Sequence, residues 1–143
     1  MIEFTVPGEP VGKARPRLGR RGRVYTPAAT KAHEELVRSS WLLAGGRRIE
    51  GPLAIHVVAE TARPASHWLK GGGLSAAGRR SVVPTKKPDL DNVLKLVADA
   101  LNGHAYQDDA WIVAATVERR WAPAGTSPRT EVRLYPALME VPS

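Results

Sequence analysis

The sequence contains no cysteine, and this absence narrows the chemistry available to the protein. Disulfide bonds, zinc sites built on thiolates and a cysteine nucleophile are all excluded. A bound metal would be a hard ion coordinated by oxygen, or zinc coordinated by histidine and carboxylate. The four histidines show no spacing typical of metal ligands, so we expect oxygen ligands.

Long apolar runs are missing as well. The chain has no run of about eighteen apolar residues of the kind that spans a membrane, and residues 1–4 lack the basic start of a signal peptide. We therefore expect a cytoplasmic protein with no membrane partner. A length of 143 residues is usual for one domain, so we expect a single domain over residues 1–143.

Acidic residues are absent from two long windows in which basic residues accumulate. Seven Lys and Arg lie between Glu9 and Glu34, and six lie between Glu60 and Asp89. A solvated surface is the ordinary interpretation of one such run. Two runs in a protein of net charge +7 favour binding to a phosphate backbone instead. The residues that we expect on DNA are Lys13, Arg15, Arg17, Arg20, Arg21, Arg23, Lys86 and Lys87.

An acidic cluster follows the second basic window. Asp89 and Asp91 lie two residues apart at the start of a predicted helix, and Asp108 and Asp109 come about one helix and one loop later. Because an N-cap residue is extended rather than helical, Asp89 can point into the same pocket as Asp91. Clustered carboxylates in a basic protein favour a divalent metal that acts on a nucleic-acid phosphate.

The periodicity of apolar residues predicts an α+β fold. Strands are predicted at residues 2–6, 53–59, 112–121 and 130–135, with a brief β extension at residues 24–25. One helix is predicted to begin at Thr26 as N-cap and end before Gly45, and a second to run from near Asp89 to Asn102. We expect one domain with a mixed sheet of about four strands, two main helices and a basic insertion at residues 63–83.

Side-chain positions within these elements are predicted as well. The second helix has an apolar face of Leu90, Val93, Leu94, Val97 and Leu101, and an opposite face of Asp91, Lys95 and Asp99. Trp41 and Trp111 fall on apolar positions and are expected in the core. Trp68, inside the insertion, is a candidate for stacking on an unpaired base.

Several motifs occur together in one order. They are Lys-Pro-Asp-Leu-Asp-Asn at residues 87–92, Lys95, Asp-Ala-Leu-Asn-Gly at residues 99–103, and the pair at residues 108–109. This order resembles the RusA family of Holliday-junction resolvases. Residues 12–17 and 22–27 are similar to the basic loop of many phage-type members. The resemblance covers most of the chain, although the insertion at 63–83 is longer than in compact members.

The resemblance implies a function and a set of site residues. Asp89, Asp91 and Asp109 would be the metal-binding catalytic carboxylates, and Lys95 the catalytic lysine. The family implies a homodimer and Mg²⁺, for which we expect Mn²⁺ to substitute. The expected activity is a structure-selective endodeoxyribonuclease that resolves four-way DNA junctions by paired nicks in recombination and repair.

Apolar side chains that one core does not need suggest two places for a dimer interface. One is the first helix around Leu36, Trp41 and Leu42, and the other is the pair of final strands with Trp121 and Tyr135. The sequence does not choose between them.

Less specific interpretations of the same residues remain open. Asp89 is also a typical N-cap, and Asp91 or Asp99 can form an ordinary i,i+4 ion pair with Lys95. Asp108 is expected to be a turn residue, but it can exchange roles with Asp109. The alternative function is a non-catalytic DNA-binding module whose acids hold a structural metal or form salt bridges. Carboxylates facing phosphates would repel DNA in such a module, so the sequence favours the nuclease.

Overall fold

A four-stranded sheet covered by two helices forms the body of the protein. A computed structural model describes residues 1–15 and 17–137. The strands are β1 (Ile2–Pro7), β2 (Arg17–Leu18), β3 (Val24–Tyr25), β4 (Leu53–Thr61), β5 (Ile112–Trp121) and β6 (Arg129–Pro136), and the helices are α1 (Ala28–Leu43), α2 (Ala76–Arg80) and α3 (Leu90–Leu101). The predicted α+β fold with a mixed four-stranded sheet and two main helices is confirmed.

β4 occupies a central position in the main sheet, whose order is β1-β6-β4-β5. It pairs parallel with β5 on one side and antiparallel with β6 on the other. Seven of its nine residues are buried, which is typical of a strand with neighbours on both sides. The turn between β5 and β6 therefore does not form a hairpin, since β4 lies between the two strands.

α1 and α3 pack against each other and cover one face of the sheet. The buried stripe of α3 consists of Val93, Leu96, Val97, Ala100 and Leu101. Leu90 was predicted on the apolar face of this helix. That prediction was wrong, because Leu90 is exposed in the first turn of α3. Leu96 and Ala100 are buried because α3 contacts α1 as well as the sheet. Within the described residues, no helix combines the length and apolar character needed to cross a membrane.

The start of α1 and the position of one tryptophan differ from the prediction. Pro27 occupies the N-cap, and the helix begins at Ala28 without a side-chain capping bond, so the predicted role of Thr26 was wrong. Trp41 is buried in the core as predicted. Trp111 is 42% exposed, because it lies in the 3₁₀ turn that precedes β5 rather than in the strand.

The insertion folds back on the end of β5. It contains a 3₁₀ turn at Ala65–His67 and the short helix α2, which the sequence did not predict. The Arg63 guanidinium lies 5.3 Å from the Trp121 ring centroid and donates hydrogen bonds to the carbonyls of Gly78 (2.8 Å) and Ser81 (3.1 Å). The Trp121 indole N–H also donates to the Ser81 carbonyl, at 2.8 Å. The insertion thus covers Trp121 with residues of the same chain.

These contacts bear on the two surfaces suggested for a dimer. Trp41 packs in the core, whereas Leu42 and Leu43 at the end of α1 are exposed, Leu43 to 89%. Trp121 is covered by the insertion, and Tyr135 on β6 is 39% exposed. Of the residues suggested for an interface, Leu42 and Tyr135 are therefore exposed, whereas Trp41 is buried and Trp121 is half-buried.

Tyr106 is fully buried, and its hydroxyl donates a 2.5 Å hydrogen bond to the Ala98 carbonyl on α3. Burial, with the nearby charges of Asp109 and Asp99, raises the pKa of its phenol. We expect Tyr106→Phe to lower the free energy of unfolding by about 1 kcal/mol, because the carbonyl loses its partner. Urea unfolding measures this change.

The exposed Tyr135 provides the control, since Tyr135→Phe should leave the free energy of unfolding nearly unchanged. The pH dependence gives a second measurement. Because the folded-state pKa of Tyr106 is raised, its contribution is complete below pH 10.0 and is lost as pH rises above that value. Equal losses in the two variants, or the same alkaline decline in Tyr106→Phe, would contradict this assignment.

Candidate active site

The first candidate carboxylate lies at the start of α3. Asp89 occupies the N-cap position with extended backbone angles, φ −73° and ψ 156°. Its main-chain carbonyl accepts from the Val93 N–H at 3.0 Å, but its side chain makes no capping hydrogen bond. The side chain of Asp89 is exposed and does not cap the helix.

Two cavities meet at this end of α3. The carboxylate cavity has a volume of ≈ 350 Å³ and is lined by Ile55, Asp91, Leu94, Lys95, Ala98, Asp99, Asp109, Ile112 and Ala115. The loop cavity has a volume of ≈ 770 Å³ and is lined by Gly12, Lys13, Ala14, Arg15, Lys87, Pro88, Asp89, Asp91 and Asn92. Asp91 belongs to both, so it connects Asp109 in one cavity with Asp89 in the other.

Asp108 and Asp109 have different environments although they are adjacent. Asp108 precedes the 3₁₀ turn Asp109–Trp111 and accepts a hydrogen bond from the Ala110 N–H at 3.0 Å. This bond, with hydrogen bonding from Asp109, lowers the pKa of Asp108. Hydrogen bonding to Asp108 instead raises the pKa of Asp109, and desolvation and the charges of Asp108 and Asp99 act in the same direction. Of the two, Asp109 lines the carboxylate cavity and Asp108 does not.

Lys95 and Asp99 lie on the same face of α3 as Asp91 and line the carboxylate cavity. In the described part of the chain, Lys95 forms no ion pair with either aspartate, so the ordinary i,i+4 interpretation does not apply. Asp99 lies 3.4 Å from the Lys13 ammonium instead. The spacing of four between Lys95 and Asp99 correctly indicated that they share a face of α3. The prediction gave Asp99 only an ion pair with Lys95 and missed its place in the carboxylate cavity.

Lys13 is already engaged within the protein. Its ammonium lies 2.6 Å from Glu34 on α1, and its backbone N–H donates to the Asn92 carbonyl on α3 at 2.9 Å. Burial alone would lower the pKa of Lys13, but the hydrogen bonds and charges of Glu34 and Asp99 outweigh it and raise that pKa. Glu34 is 21 residues away, so no local pattern in the sequence indicated this contact.

The other predicted DNA contacts lie in two places. Arg15 and Lys87 line the loop cavity, and Lys86 is exposed, with its carbonyl accepting from the Arg119 guanidinium. Arg20, Arg21 and Arg23 are exposed on the hairpin that β2 and β3 form.

Arg17 and Trp68 are the remaining residues predicted to contact DNA. Arg17 belongs to β2, but its side chain lies outside the described residues. Trp68, the candidate for base stacking, is half-buried and pairs through its backbone with Leu74.

The carboxylates do not form a preformed metal cluster. Over residues 1–15 and 17–137, no group of three or more acidic, histidine or cysteine side chains is arranged to hold a metal ion. Asp91 and Asp109 nevertheless share one cavity, and both supply hard oxygen donors. Because Mg²⁺ is commonly bound by one or two carboxylates with water and substrate phosphates, this donor set fits it.

Comparisons with known proteins agree with the motif analysis. Residues 7–135 match the family described as Endodeoxyribonuclease RusA. The chain is also similar to the uncharacterized protein YqaN of Bacillus subtilis (strain 168). The two are 36% identical over 140 residues, which covers 93% of this chain and 94% of YqaN.

The contacts between Asp108 and Asp109 can be tested without metal or DNA. We expect Asp108→Ala to lower the pKa of Asp109, because the hydrogen bonding and the charge that raise it are both removed. Carboxyl ¹³C chemical shifts followed against pH measure this change. Asp99→Asn is the matched control and should lower the pKa of Asp109 less, since Asp99 acts through its charge alone. A pKa of Asp109 that Asp108→Ala leaves unchanged would contradict the assignment.

Proposed function

Because the chain belongs to the RusA family of endodeoxyribonucleases, we propose that it is a Mg²⁺-dependent nuclease that resolves four-way DNA junctions by paired nicks. Its role would lie in DNA recombination and repair. The observation that carries this proposal is the position of Asp89, Asp91 and Asp109 and their lack of ion pairs in the part of the chain that the structure describes. They line two adjoining cavities, and none of them forms an ion pair among the described residues.

Helix capping by Asp89 and ion pairing do not account for these three carboxylates. Asp89 does not cap α3 through its side chain. Among the described residues, none of the three forms an ion pair with Lys, Arg or His. Basic residues lie close by, since Lys95 shares one cavity with Asp91 and Asp109, and Arg15 and Lys87 share the other with Asp89. Carboxylates held free among cations suit a cation and a phosphate together.

Asp91 and Asp109 would hold the metal ion, with Asp89 contributing from the loop cavity. Bound Mg²⁺ would supply positive charge at the scissile phosphate and favour deprotonation of the attacking water. The apolar side chains of Ile55, Leu94 and Ile112 line the same cavity.

The basic side chains have separate tasks in this proposal. The Lys95 ammonium, in the carboxylate cavity, stabilises the negative charge that develops on the phosphate oxygens. Arg15 and Lys87 hold the DNA backbone over the loop cavity, where the guanidinium of Arg15 can bind two phosphate oxygens at once. The arginines of the β2–β3 hairpin extend the basic surface beyond the cavities.

A non-catalytic DNA-binding module accounts less well for the same residues. Beside the two cavities, the described acids that form ion pairs are Glu34 and Asp99, both with Lys13. Asp89, Asp91 and Asp109 are outside these ion pairs. Left without a cation, they would repel bound DNA and lower its affinity.

We expect Asp89→Asn, Asp91→Asn and Asp109→Asn each to reduce Mg²⁺-dependent cleavage of a synthetic four-way junction by roughly 10²-fold or more. Junction binding should be unchanged or tighter, because each variant loses a negative charge near the phosphates. Cleavage is measured under single-turnover conditions, and binding by gel shift with the metal chelated.

Asp108→Asn is the matched control for these variants. It makes the same chemical change beside Asp109, and the amide oxygen still accepts from the Ala110 N–H. We expect it to keep cleavage within a few-fold of wild type. If wild type cleaved the junction with the metal chelated, or if Asp91→Asn retained full activity, the proposed mechanism would be wrong.

We further propose that the active species is a two-fold symmetric homodimer. Resolution needs paired nicks, and two-fold symmetry supplies two identical sites in the arrangement that the junction itself has. Mixing wild type with Asp91→Asn should give heterodimers that convert a cruciform plasmid to nicked circles but not to linear molecules. Gel electrophoresis separates these products. A monomer by light scattering that still makes paired cuts would exclude the dimer.

A further inference from the structure

The segment of residues 10–15 is attached to the start of α3 at two points. The Lys13 N–H donates to the Asn92 carbonyl at 2.9 Å, one residue after Asp91. Gly12 packs against Pro88 and Asn92 so closely that a Cβ at Gly12 would lie 2.8 Å from the Pro88 Cβ. The segment therefore follows the start of α3 and forms one wall of the loop cavity.

The Lys13 side chain fixes this segment to both helices. Its ammonium lies 2.6 Å from Glu34 on α1 and 3.4 Å from Asp99 on α3. The side chains of Lys13, Glu34 and Asp99 are only 19%, 15% and 29% exposed. A partly buried ion pair is screened less by salt than a surface pair, so these contacts can hold the loop while DNA is bound.

These ion pairs distinguish Lys13 from the neighbouring basic residue Arg15. Arg15 lies two residues further along, is exposed and lines the loop cavity with Asp89 and Asp91. For Lys13 to reach a phosphate, its ammonium would have to leave two carboxylates, one of which is a 2.6 Å partner. Arg15 is therefore the residue of this segment that is free to bind DNA.

We infer that Lys13 is a positioning residue, which ties the 10–15 segment to α1 and α3 so that Arg15 faces the DNA phosphate beside Asp89 and Asp91. This inference rests on the proposed nuclease function. It assigns to Lys13 an indirect role, through Arg15, in place of the phosphate contact that the sequence predicted. It also assigns a role to Glu34, which lines neither cavity.

A double-mutant cycle of Lys13→Met and Arg15→Ala tests the inference. Each phosphate contact contributes about 0.9 to the slope of log affinity against log salt. We expect Arg15→Ala to reduce the slope by about 0.9, and Lys13→Met to cause no further reduction in that background. Single-turnover cleavage at saturating protein should fall roughly tenfold in Lys13→Met, with less than a twofold additional effect when Arg15 is already Ala.

Two other results would overturn the inference. A further slope reduction of about 0.9 in the Arg15→Ala background would show that Lys13 contacts a phosphate itself. Multiplicative losses of cleavage in the double variant would show that Lys13 acts independently of Arg15. Lys31→Met, which removes one positive charge from an exposed position on α1, controls for net charge and should behave as wild type.

The Glu34→Gln variant keeps the positive charges of both Lys13 and Arg15. If Lys13 positions the loop, this change weakens the 2.6 Å contact and should slow cleavage without steepening the salt slope. If Lys13 is instead a phosphate contact restrained by Glu34, releasing it should raise DNA affinity and steepen the slope by about 0.9. The second result would overturn the inference.

Hydrogen–deuterium exchange distinguishes failure of this inference from failure of the proposed function. The Lys13 amide is bonded to Asn92, so its protection reports on the attachment of the segment without DNA or metal. We expect faster amide exchange of residues 11–15 in Lys13→Met and in Glu34→Gln, with Lys31→Met unchanged, even if wild type neither binds nor cleaves a junction. Unchanged exchange in both variants would reject Lys13 as the residue that holds this segment.

Discussion

The candidate site depends on the burial of one stripe of α3 against the sheet and α1. Val93, Leu96, Val97, Ala100 and Leu101 form that stripe, and burial of each large apolar side chain stabilises a fold by about 1.5–3 kcal/mol. Because a helix fixes the angle between its residues, burying these five also fixes the opposite face. Asp91, Lys95 and Asp99 occupy successive turns of that face and all line the carboxylate cavity.

The sheet supplies the part of the site that α3 cannot. β5 pairs in parallel with the buried strand β4, and this pairing places the 3₁₀ turn before β5 close to α3. Asp109 is in that turn, while Ile55 of β4 and Ala115 of β5 lie opposite each other and line the same cavity. The cavity is thus formed by a helix and two strands that are far apart in sequence. Asp109 reaches Asp91 only when all three are correctly packed.

Local patterns predicted much of this arrangement, and contacts between distant residues account for the rest. Apolar alternation indicated the four strands. The predicted start of one helix indicated that the side chains of Asp89, Asp91 and Lys95 lie near one another. The exposure of Trp111, the position of β4 between β5 and β6, and the covering of Trp121 by Arg63 depend on tertiary packing. The Lys13 ion pairs are of the same kind, since Glu34 comes from α1 and Asp99 from the far end of α3.

The protein divides the acids near its basic surface into two groups. Glu34 and Asp99 share the ammonium of Lys13, which offsets one of their two negative charges and whose pKa they raise. Asp89, Asp91 and Asp109 form no ion pair among the described residues, so their charge remains available to a ligand. If Lys13 bound DNA instead, Asp99 would add a further uncompensated charge beside Asp91 and Asp109 and oppose the approach of phosphate. The ion pairs of Lys13 therefore serve two purposes: they hold the loop that carries Arg15, and they offset part of the negative charge beside Asp91 and Asp109.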